Sequence, residues 1–367
     1  MILNNIEILN FKNIGSATLE LSSGVNCLLG MNGMGKSNLL DAIHMLCMAR
    51  PMTSAIDTNL LRHGQEMMLV KGVFHTDVDT LDTISCGMAK GKRKSLKRNG
   101  KEYLKFSDHI GKFPVVIVTP EDSRIVAGSA EERRKLIDMV ISQADTEYLS
   151  SLIRYGKALE NRNKMLRAGI VDAILYESIE NMMSEMATII YRARNEWIKE
   201  ISPIVAEIYD RISGGKEEIN ICYRSQLTGT DMPALLSSRR QKDQLLGFTS
   251  GGIHRDDMEL SLGGYPVKNI GSQGQLKTFA VSLRLAIFRY LKKLKKTTPI
   301  LLLDDIFDKL DSQRVENIMQ EVTGGTHFGQ IFITDTNRKH LDDILGGIEG
   351  ECSLINVKDG CFTPITR

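Results

Sequence analysis

One segment of the chain has residue types and spacing that suit the binding of a triphosphate. Residues 30–37 fit G-x-x-x-x-G-K-[ST] at every fixed position. The segment consists of Gly30, Met31, Asn32, Gly33, Met34, Gly35, Lys36 and Ser37. Glycines let backbone N–H groups approach phosphate oxygens, a lysine brings a positive charge to the terminal phosphates, and a serine hydroxyl suits Mg²⁺. An apolar run before it and a helical pattern after it predict a strand–loop–helix phosphate loop.

Two carboxylates form a second candidate site. Asp304 and Asp305 follow the aliphatic run at residues 300–303. This pattern is typical of a buried strand whose carboxyl end faces a ligand. Asp304 suits the Mg²⁺ coordination shell, and Asp305 suits orienting or deprotonating an attacking water. The alternative is a strand that ends in a solvated acidic turn, which the phosphate loop disfavours.

A second predicted helix, far from the phosphate loop in the sequence, has an N-terminus that could bind an anion. Its residues are Ser272, Gln273, Gly274 and Gln275. Apolar positions follow at helical spacing through residues 276–294, and serine is a favoured N-cap. The free N–H groups of such a helix end attract negative charge.

Positive charge is concentrated in one window. Residues 90–105 carry a net +7 in a chain of net +2, and Asn99-Gly100 within them predicts a type I′ hairpin. The candidate DNA-binding residues are Lys92, Arg93, Lys94, Lys97 and Arg98. One interpretation is a hairpin that contacts nucleic-acid phosphates, and the other is an edge hairpin whose lysines prevent aggregation. Basic residues of the helical segment around 154–194 are an alternative DNA surface.

The segment Gly251-Gly252-Ile253-His254-Arg255-Asp256-Asp257 places a histidine beside two carboxylates. This combination raises the question of a metal site. Because no second histidine or cysteine lies nearby in the sequence, we favour a turn whose charges pair with each other.

The composition of the chain limits the classes of protein to which it can belong. The chain has 367 residues, of which 42% are hydrophobic and 25% charged, as in soluble globular proteins of two or three domain-sized units. Its six cysteines lack C-x-x-C spacing, and there is neither a signal pattern nor an apolar run of membrane-spanning length. We therefore expect a cytoplasmic protein with no membrane partner.

Strands and helices follow from the apolar spacing. Strands are predicted at residues 2–11, 17–21, 25–29, 69–75, 81–88, 115–118, 330–334 and 353–357. Long helices are predicted between residues 130 and 246, with interruptions near Gly169, Pro203 and Gly214. The result is an α/β fold in which residues 1–122 and 250–367 form one lobe that contains the phosphate loop, and residues 123–249 form a helical lobe.

The order of these motifs resembles the ABC-type ATPase heads of SMC-type proteins. Several further segments resemble the bacterial RecF family of recombination-repair proteins. They are Phe11-Lys12-Asn13, Asn38–Ile43, Pro120-Glu121-Asp122 with Gly128, Arg133-Arg134 with Asp138, His254–Asp257 and Ser272–Thr278. The resemblance covers nearly the whole chain.

This resemblance implies a fold, a site and partners. The fold is an ABC-type P-loop ATPase head, with mixed sheets around the P-loop helix and an inserted α-helical lobe. ATP and Mg²⁺ would bind residues 30–37 and Asp304, in a homodimer whose signature residues Ser272, Gly274 and Gln275 reach the γ-phosphate in trans. Asp311 would lie at the dimer seam. The family binds DNA at gaps and stalled forks, takes part in the SOS response, and works with the RecR and RecO proteins.

Three departures from the wider ATPase pattern qualify these expectations. Asp305 stands where many ABC-type ATPases carry a longer glutamate, which favours slow hydrolysis that serves as a switch. No histidine follows the strand at 330–334, and no glutamine lies near residues 119–122. Two other classes of protein fit these residues less well. An ABC transporter subunit is disfavoured by the long helical insertion, and a small-molecule P-loop kinase leaves residues 272–275 and the basic hairpin without a role.

Overall fold

The computed structural model describes residues 1–52, 57–215, 217–307, 310–323, 328–346 and 350–365. The chain divides into two compact units, the first made of Met1–Asp122 with Leu283–Arg367 and the second of Ser123–Ser282. From the sequence, residues 250–282 are expected in the lobe that contains the phosphate loop. They fold with the second unit because strand Asp257–Leu262 pairs antiparallel with strand Ile219–Arg224.

Strands and helices alternate irregularly along the described residues. The strands are β1 Ile2–Phe11, β2 Ile14–Glu20, β3 Val25–Leu29, β4 Met67–His75, β5 Leu81–Ala89, β6 Ser95–Arg98, β7 Lys101–Glu102, β8 Val115–Val118, β9 Ile219–Arg224, β10 Asp257–Leu262, β11 Tyr265–Pro266, β12 Ile300–Asp304, β13 Ile331–Asp335, β14 Cys352–Lys358 and β15 Cys361–Ile365. The helices are α1 Lys36–Met48, α2 Ser123–Ala127, α3 Ala130–Ala144, α4 Thr146–Arg167, α5 Ala173–Ser213, α6 Met232–Leu246, α7 Val267–Ile270, α8 Gln273–Lys295, α9 Ser312–Thr323 and α10 Arg338–Gly346.

The first unit contains two six-stranded sheets. One has the order β15-β14-β3-β13-β12-β8, in which all neighbours from β14 to β8 run parallel and β15 pairs antiparallel with β14. The other has the order β2-β1-β4-β5-β6-β7 and is antiparallel throughout. The residues of β12 and β13 are all buried, which explains why both strands are apolar until they reach their polar carboxyl ends. Because the carboxyl ends of parallel strands share one edge, β3, β12 and β13 deliver their following residues to the same place.

Helix α1 contacts strands of both sheets in the first unit. Eleven of its 13 residues are buried, as expected for a helix enclosed on several sides. The chain leaves β3 directly into the phosphate loop and then into α1. The loop is therefore fixed at both ends by buried elements.

The second unit combines helices α2–α7 and the start of α8 with the three-stranded sheet β11-β10-β9. Gly169 and Gly214, with φ of +65° and +79°, lie just beyond α4 and α5, as predicted. The predicted break at Pro203 is wrong, because α5 runs through it as a helix of 41 residues. No helix in the described ranges has both the length and the apolar character needed to cross a bilayer.

Three histidines of the described chain are shielded from solvent, and desolvation lowers the pKa of each to about 4. They are His44, His109 and His254. His109 Nε2 lies 2.7 Å from the carbonyl oxygen of Leu46, in the last turn of α1. The three rings are therefore neutral at physiological pH, where an unperturbed histidine is partly charged.

Candidate nucleotide-binding site

The phosphate loop lies between the carboxyl end of β3 and the N-terminus of α1. Gly33 and Gly35 have φ of +82° and +114°, in the region that favours glycine. A Cβ on Gly30 would lie 2.4 Å from the carbonyl oxygen of Val357, so this glycine is required by close packing. Lys36 is 3% exposed, and its Nζ donates to the carbonyl of Gly30 at 2.7 Å. The lysine charge is thus held over the loop itself.

The two candidate carboxylates lie beside the phosphate loop, and Thr334 of the adjacent strand β13 contacts both residues. Asp304, at the end of β12, is in register with Thr334 of β13. Ser37 Oγ and Thr334 Oγ1 both donate to Asp304 Oδ1 at 2.8 Å. Asp305 N–H donates to Thr334 Oγ1 at 2.9 Å, and the Asp305 carboxylate lies 4.0 Å from Lys36 Nζ. The structure therefore brings together the four predicted residues Lys36, Ser37, Asp304 and Asp305.

The electrostatics at Asp304 suit a cation. Burial raises the pKa of the Asp304 carboxyl above its usual range, and the charge of Asp305 adds to the rise. Hydrogen bonds from Thr334 and Ser37 and the charge of Lys36 lower that pKa in part. A hydroxyl and a carboxylate oxygen on adjacent elements are ligands that Mg²⁺ prefers. Ser37 and Asp304 fit a magnesium site, because a bound cation would offset the desolvation of the carboxylate.

Thr334 is a site residue that the sequence analysis missed. It was noted there only as part of a region that lacks a histidine. Its side chain is fully buried, and its hydroxyl links the carboxylate of Asp304 to the backbone N–H of Asp305. It also holds the backbone of Asp305, whose φ of +43° is unfavourable for a residue other than glycine. The signal was absent from the sequence because it depends on which strand lies beside β12.

A histidine also returns to this edge of the sheet. None directly follows β13, but His340 of helix α10 places Nδ1 3.1 Å from Asp335 Oδ2. Asp335 is the last residue of β13, and its carbonyl oxygen lies 3.3 Å from the N atom of Gly30. No histidine therefore follows β13 directly in the sequence, but the His340 side chain lies next to the end of that strand in the fold.

The predicted signature residues lie in the second unit, at the N-terminus of α8. Ser272 N–H donates to Gln275 Oε1 at 2.8 Å, and Gln275 N–H donates to Ser272 Oγ at 3.3 Å, which is a capping box. Gln275 Nε2 also donates to Glu217 at 3.0 Å, and the carbonyl of Gly274 accepts from Thr278. Gln275 is therefore engaged within its own unit, whereas Ser272 is exposed.

Asp311 precedes α9 and is exposed. Its Oδ1 accepts from the backbone N–H of Arg314 at 2.9 Å, as in an N-cap. Positions 308 and 309, shortly before it, lie outside the described residues.

The basic window forms the predicted hairpin. Strands β6 and β7 pair at the edge of the antiparallel sheet, and Asn99 and Gly100 between them have φ of +51° and +79°. Two positive φ values in succession are what a type I′ turn requires. Three predicted DNA-binding side chains are exposed, one on β6 and two in the connection that leads from β5 to β6, and they are called the hairpin cations below. They are Lys92, Arg93 and Lys97.

The other two predicted DNA-binding residues have interaction partners within the fold. Lys94 is only 8% exposed, and its Nζ lies 5.8 Å from the centre of the Phe106 ring. Arg98 donates two hydrogen bonds to the buried carboxylate of Asp82, at 2.9 and 2.7 Å. These bonds lower the pKa of Asp82. Lys94 is therefore too buried for a surface phosphate contact, which corrects that prediction. Arg98 is paired with Asp82 on β5 but keeps 39% of its side chain exposed.

Part of the alternative DNA surface is also buried. Arg162 is fully buried and donates to Asp243 at 2.8 Å, and Arg194 is 2% exposed and donates to Asp138 at 2.8 Å. Arg154 remains 51% exposed at its side chain. The helical segment therefore presents fewer free cations than its sequence suggests.

The turn at residues 251–257 does not pair its charges internally, so that prediction is wrong. Asp257 accepts two hydrogen bonds from the Arg133 guanidinium of α3, at 2.7 and 2.9 Å. His254 Nδ1 lies 2.9 Å from the hydroxyl of Tyr155. The side chains reach neighbouring elements of the second unit because β10 begins at this turn, beside α3 and β9.

Comparison with known proteins agrees with this architecture. The family described as RecF/RecN/SMC N terminal domain matches residues 2–349. A crystal structure of an SMC head bound to the C-winged helix domain of ScpA superimposes with a TM-score of 0.59, covering 100% of this chain and 97% of that chain at 17% identity. The fold is that of an ABC-type P-loop ATPase head with an inserted helical lobe, which confirms the predicted fold class.

More similar relatives narrow the family. A DNA replication and repair protein RecF of Bacteroides thetaiotaomicron is 45% identical over 366 residues, covering 100% of this chain and 99% of the relative. Its counterpart in Parabacteroides distasonis is 44% identical over 365 residues, covering 100% of both chains. The structure of the recombination mediator protein RecF-ATP in the RecFOR pathway has a TM-score of 0.88 at 28% identity and covers 99% of both chains. The chain belongs to the RecF family, and the transporter alternative has no support.

Proposed function

We propose that the chain is an ATP-dependent DNA-binding protein of recombinational repair and replication restart. ATP binds residues 30–37, and its binding drives two copies together on DNA at single-strand gaps or stalled forks, including during the SOS response. The working compartment is the cytoplasm. The observation that carries this proposal is the hydrogen bond of 2.8 Å between Ser37 Oγ and Asp304 Oδ1, which joins the phosphate loop to the acidic strand end.

The residues of the site have separate roles in this proposal. Lys36 neutralises the terminal phosphates, because it is the cation of a loop otherwise built from backbone dipoles. Ser37 and Asp304 would hold Mg²⁺, which would supply positive charge to neutralise the phosphates. Asp305 orients the attacking water. As a residue one methylene shorter than glutamate, it supports slow hydrolysis that ends the bound state rather than fast turnover.

Dimerisation completes the site in the proposal. Ser272 is exposed at the start of a helix of 23 residues, where free N–H groups favour a phosphate. Gln273 and Gly274 are its neighbours at this helix end, and Asp311 is exposed as a seam residue would be. Two nucleotides would then lie between the phosphate loop of one copy and the signature residues of the other. The amide of Gln275 already donates to Glu217, whereas Ser272 Oγ only accepts, from the N–H of Gln275, so its O–H is the better candidate for donating to a phosphate.

DNA binding rests on the family and on local charge. The relatives are named for DNA replication and repair. The hairpin cations on this chain suit phosphate contacts, which position a protein without reading base sequence. RecR and RecO are the proposed protein partners, because the related RecF structure is described within the RecFOR pathway.

The test is DNA affinity measured by fluorescence anisotropy, with and without ATP and Mg²⁺. Gapped, single-stranded and duplex substrates of equal length are compared, with Lys36→Ala as the control. We expect ATP to increase affinity for gapped DNA in the unmodified protein and not in the variant. Equal affinity with and without ATP on all three substrates would contradict an ATP-switched DNA-binding protein.

A further inference from the structure

The turn between β1 and β2 lies against the outer side of the phosphate loop. Asn13 Nδ2 donates to the carbonyl of Gly33 at 3.2 Å, and Asn13 Oδ1 accepts from Asn38 Nδ2 at 2.7 Å. The adjacent Lys12 forms an ion pair with the buried carboxylate of Asp41. Because Asn38 and Asp41 belong to α1, the turn is anchored on the same helix that begins at the phosphate loop.

A second turn meets the loop beside the first. Gly360, between β14 and β15, donates from its N–H to the carbonyl of Met34 at 2.8 Å. A Cβ on Gly360 would lie 2.7 Å from the carbonyl oxygen of Asn13. A Cβ on Gly35 would lie 3.0 Å from Asn13 Oδ1. The two turns and the phosphate loop are therefore packed so closely that there is no room for a Cβ atom on Gly360 and almost none on Gly35. Asn13 is the residue that both of these glycines contact.

These contacts fix the direction of the loop amides. In a planar trans peptide the C=O and the following N–H point in opposite directions. Holding the carbonyl of Gly33 outward turns the N–H of Met34 inward, where it donates to the carbonyl of Met31 with an N···O distance of 3.4 Å. Holding the carbonyl of Met34 outward does the same for the N–H of Gly35. Inward N–H groups are what a phosphate-binding loop requires.

We propose that Asn13 is a positioning residue for nucleotide binding, which acts by orienting the amides of the phosphate loop from outside. This inference rests on the proposed ATP binding at residues 30–37. Backbone amides of such a loop cradle the α- and β-phosphates, whereas the lysine reaches the β- and γ-phosphates. Asn13 therefore supports ATP and ADP binding equally.

The experiment is isothermal titration calorimetry of the full chain with Mg-ATP and with Mg-ADP. Asn13→Ala is expected to weaken both nucleotides by the same factor, roughly three- to tenfold, the loss of one to two hydrogen bonds. Asn13→Asp is expected to weaken both further, because a carboxylate cannot donate to the carbonyl of Gly33 and adds negative charge beside the phosphates. Lys36→Ala is expected to weaken ATP more than ADP.

A matched control is Asn99→Ala, which removes the side-chain hydrogen bonds of another turn asparagine and should leave both affinities unchanged. The unfolding midpoint without nucleotide should be nearly the same for Asn13→Ala and the unmodified protein. If the unmodified protein binds no ATP, the proposed function fails. If the unmodified protein binds ATP, three results for Asn13→Ala would overturn the positioning role. The variant binds both nucleotides as tightly as the unmodified protein, or it loses ATP but keeps ADP, or its loss of affinity only follows a large loss of stability.

Discussion

Replacing Thr334 by valine tests the arrangement of the two carboxylates most sharply. Valine keeps the volume and the branched shape but lacks the hydroxyl. Thr334 Oγ1 donates to Asp304 Oδ1 and accepts from the N–H of Asp305, at 2.8 and 2.9 Å. The substitution therefore removes two hydrogen bonds at a fully buried position. At the usual cost of a buried polar group left with fewer partners, the unfolding free energy should fall by about 2–3 kcal/mol.

The same substitution should change the pH dependence of ATP hydrolysis. The Thr334 hydroxyl lowers the pKa of Asp304, against the larger effect of burial, which raises it. Losing that hydrogen bond raises the pKa of Asp304 further. Since the ionised carboxylate is the form that binds a cation, the acid limb of the rate profile should move to higher pH.

The assays are urea denaturation and single-turnover ATP hydrolysis across pH 5–9, with Thr334→Ser as the matched control. Serine keeps the hydroxyl and loses one methyl group, so it should cost about 1 kcal/mol and leave the acid limb in place. If valine behaves like serine in both stability and pH profile, the hydroxyl does not organise the carboxylates and the reasoning fails.

Three further outcomes are expected. Lys36→Ala should reduce ATP affinity at least tenfold by calorimetry, because it removes a charge held over the loop where charge-assisted hydrogen bonds are strong; unchanged affinity would contradict the nucleotide site. Alanine at all three hairpin cations should flatten the slope of log affinity for duplex DNA against log salt by roughly two to three units; an unaltered slope would move the DNA surface to the exposed basic residues of the second unit. The three shielded histidines have a pKa lowered to about 4 and therefore bind fewer protons in the folded than in the unfolded protein. Their contribution to the unfolding free energy should be complete above pH 6.5 and should be lost between pH 6.5 and 4, at up to about 4 kcal/mol per pH unit. Urea denaturation that shows no loss of stability in that window would refute the shielding.

The sequence predicted those parts of the site that are contiguous in the chain. The phosphate loop was recognisable because strand, glycines, lysine and helix follow one another within residues 25–48. The acidic strand end was recognisable for the same reason. Their meeting at Ser37 and Asp304 followed from parallel strand ends sharing one edge.

What escaped prediction depends on strand order and on pairing across elements. Thr334 is an ordinary strand residue until β13 is known to lie beside β12. Lys94 and Arg98 look like free charges in a basic window, yet one is buried beside an aromatic ring and the other is paired with a carboxylate on β5. A charge count has no information on which face of a strand is buried. Pro203 misled for a related reason, since a long packed helix can absorb one lost hydrogen bond.

The Ser272 substitution tests the central claim, that ATP joins two copies through the signature residues. Light scattering of the unmodified protein and of Ser272→Arg, with and without Mg-ATP, measures this directly, and calorimetry on the same samples measures ATP binding. We predict a monomer that becomes a dimer with ATP in the unmodified protein, and a variant that binds ATP but stays monomeric, because arginine adds bulk and positive charge at the exposed helix start. A variant that dimerises normally with ATP, or an unmodified protein whose mass does not change on binding ATP, would contradict the account.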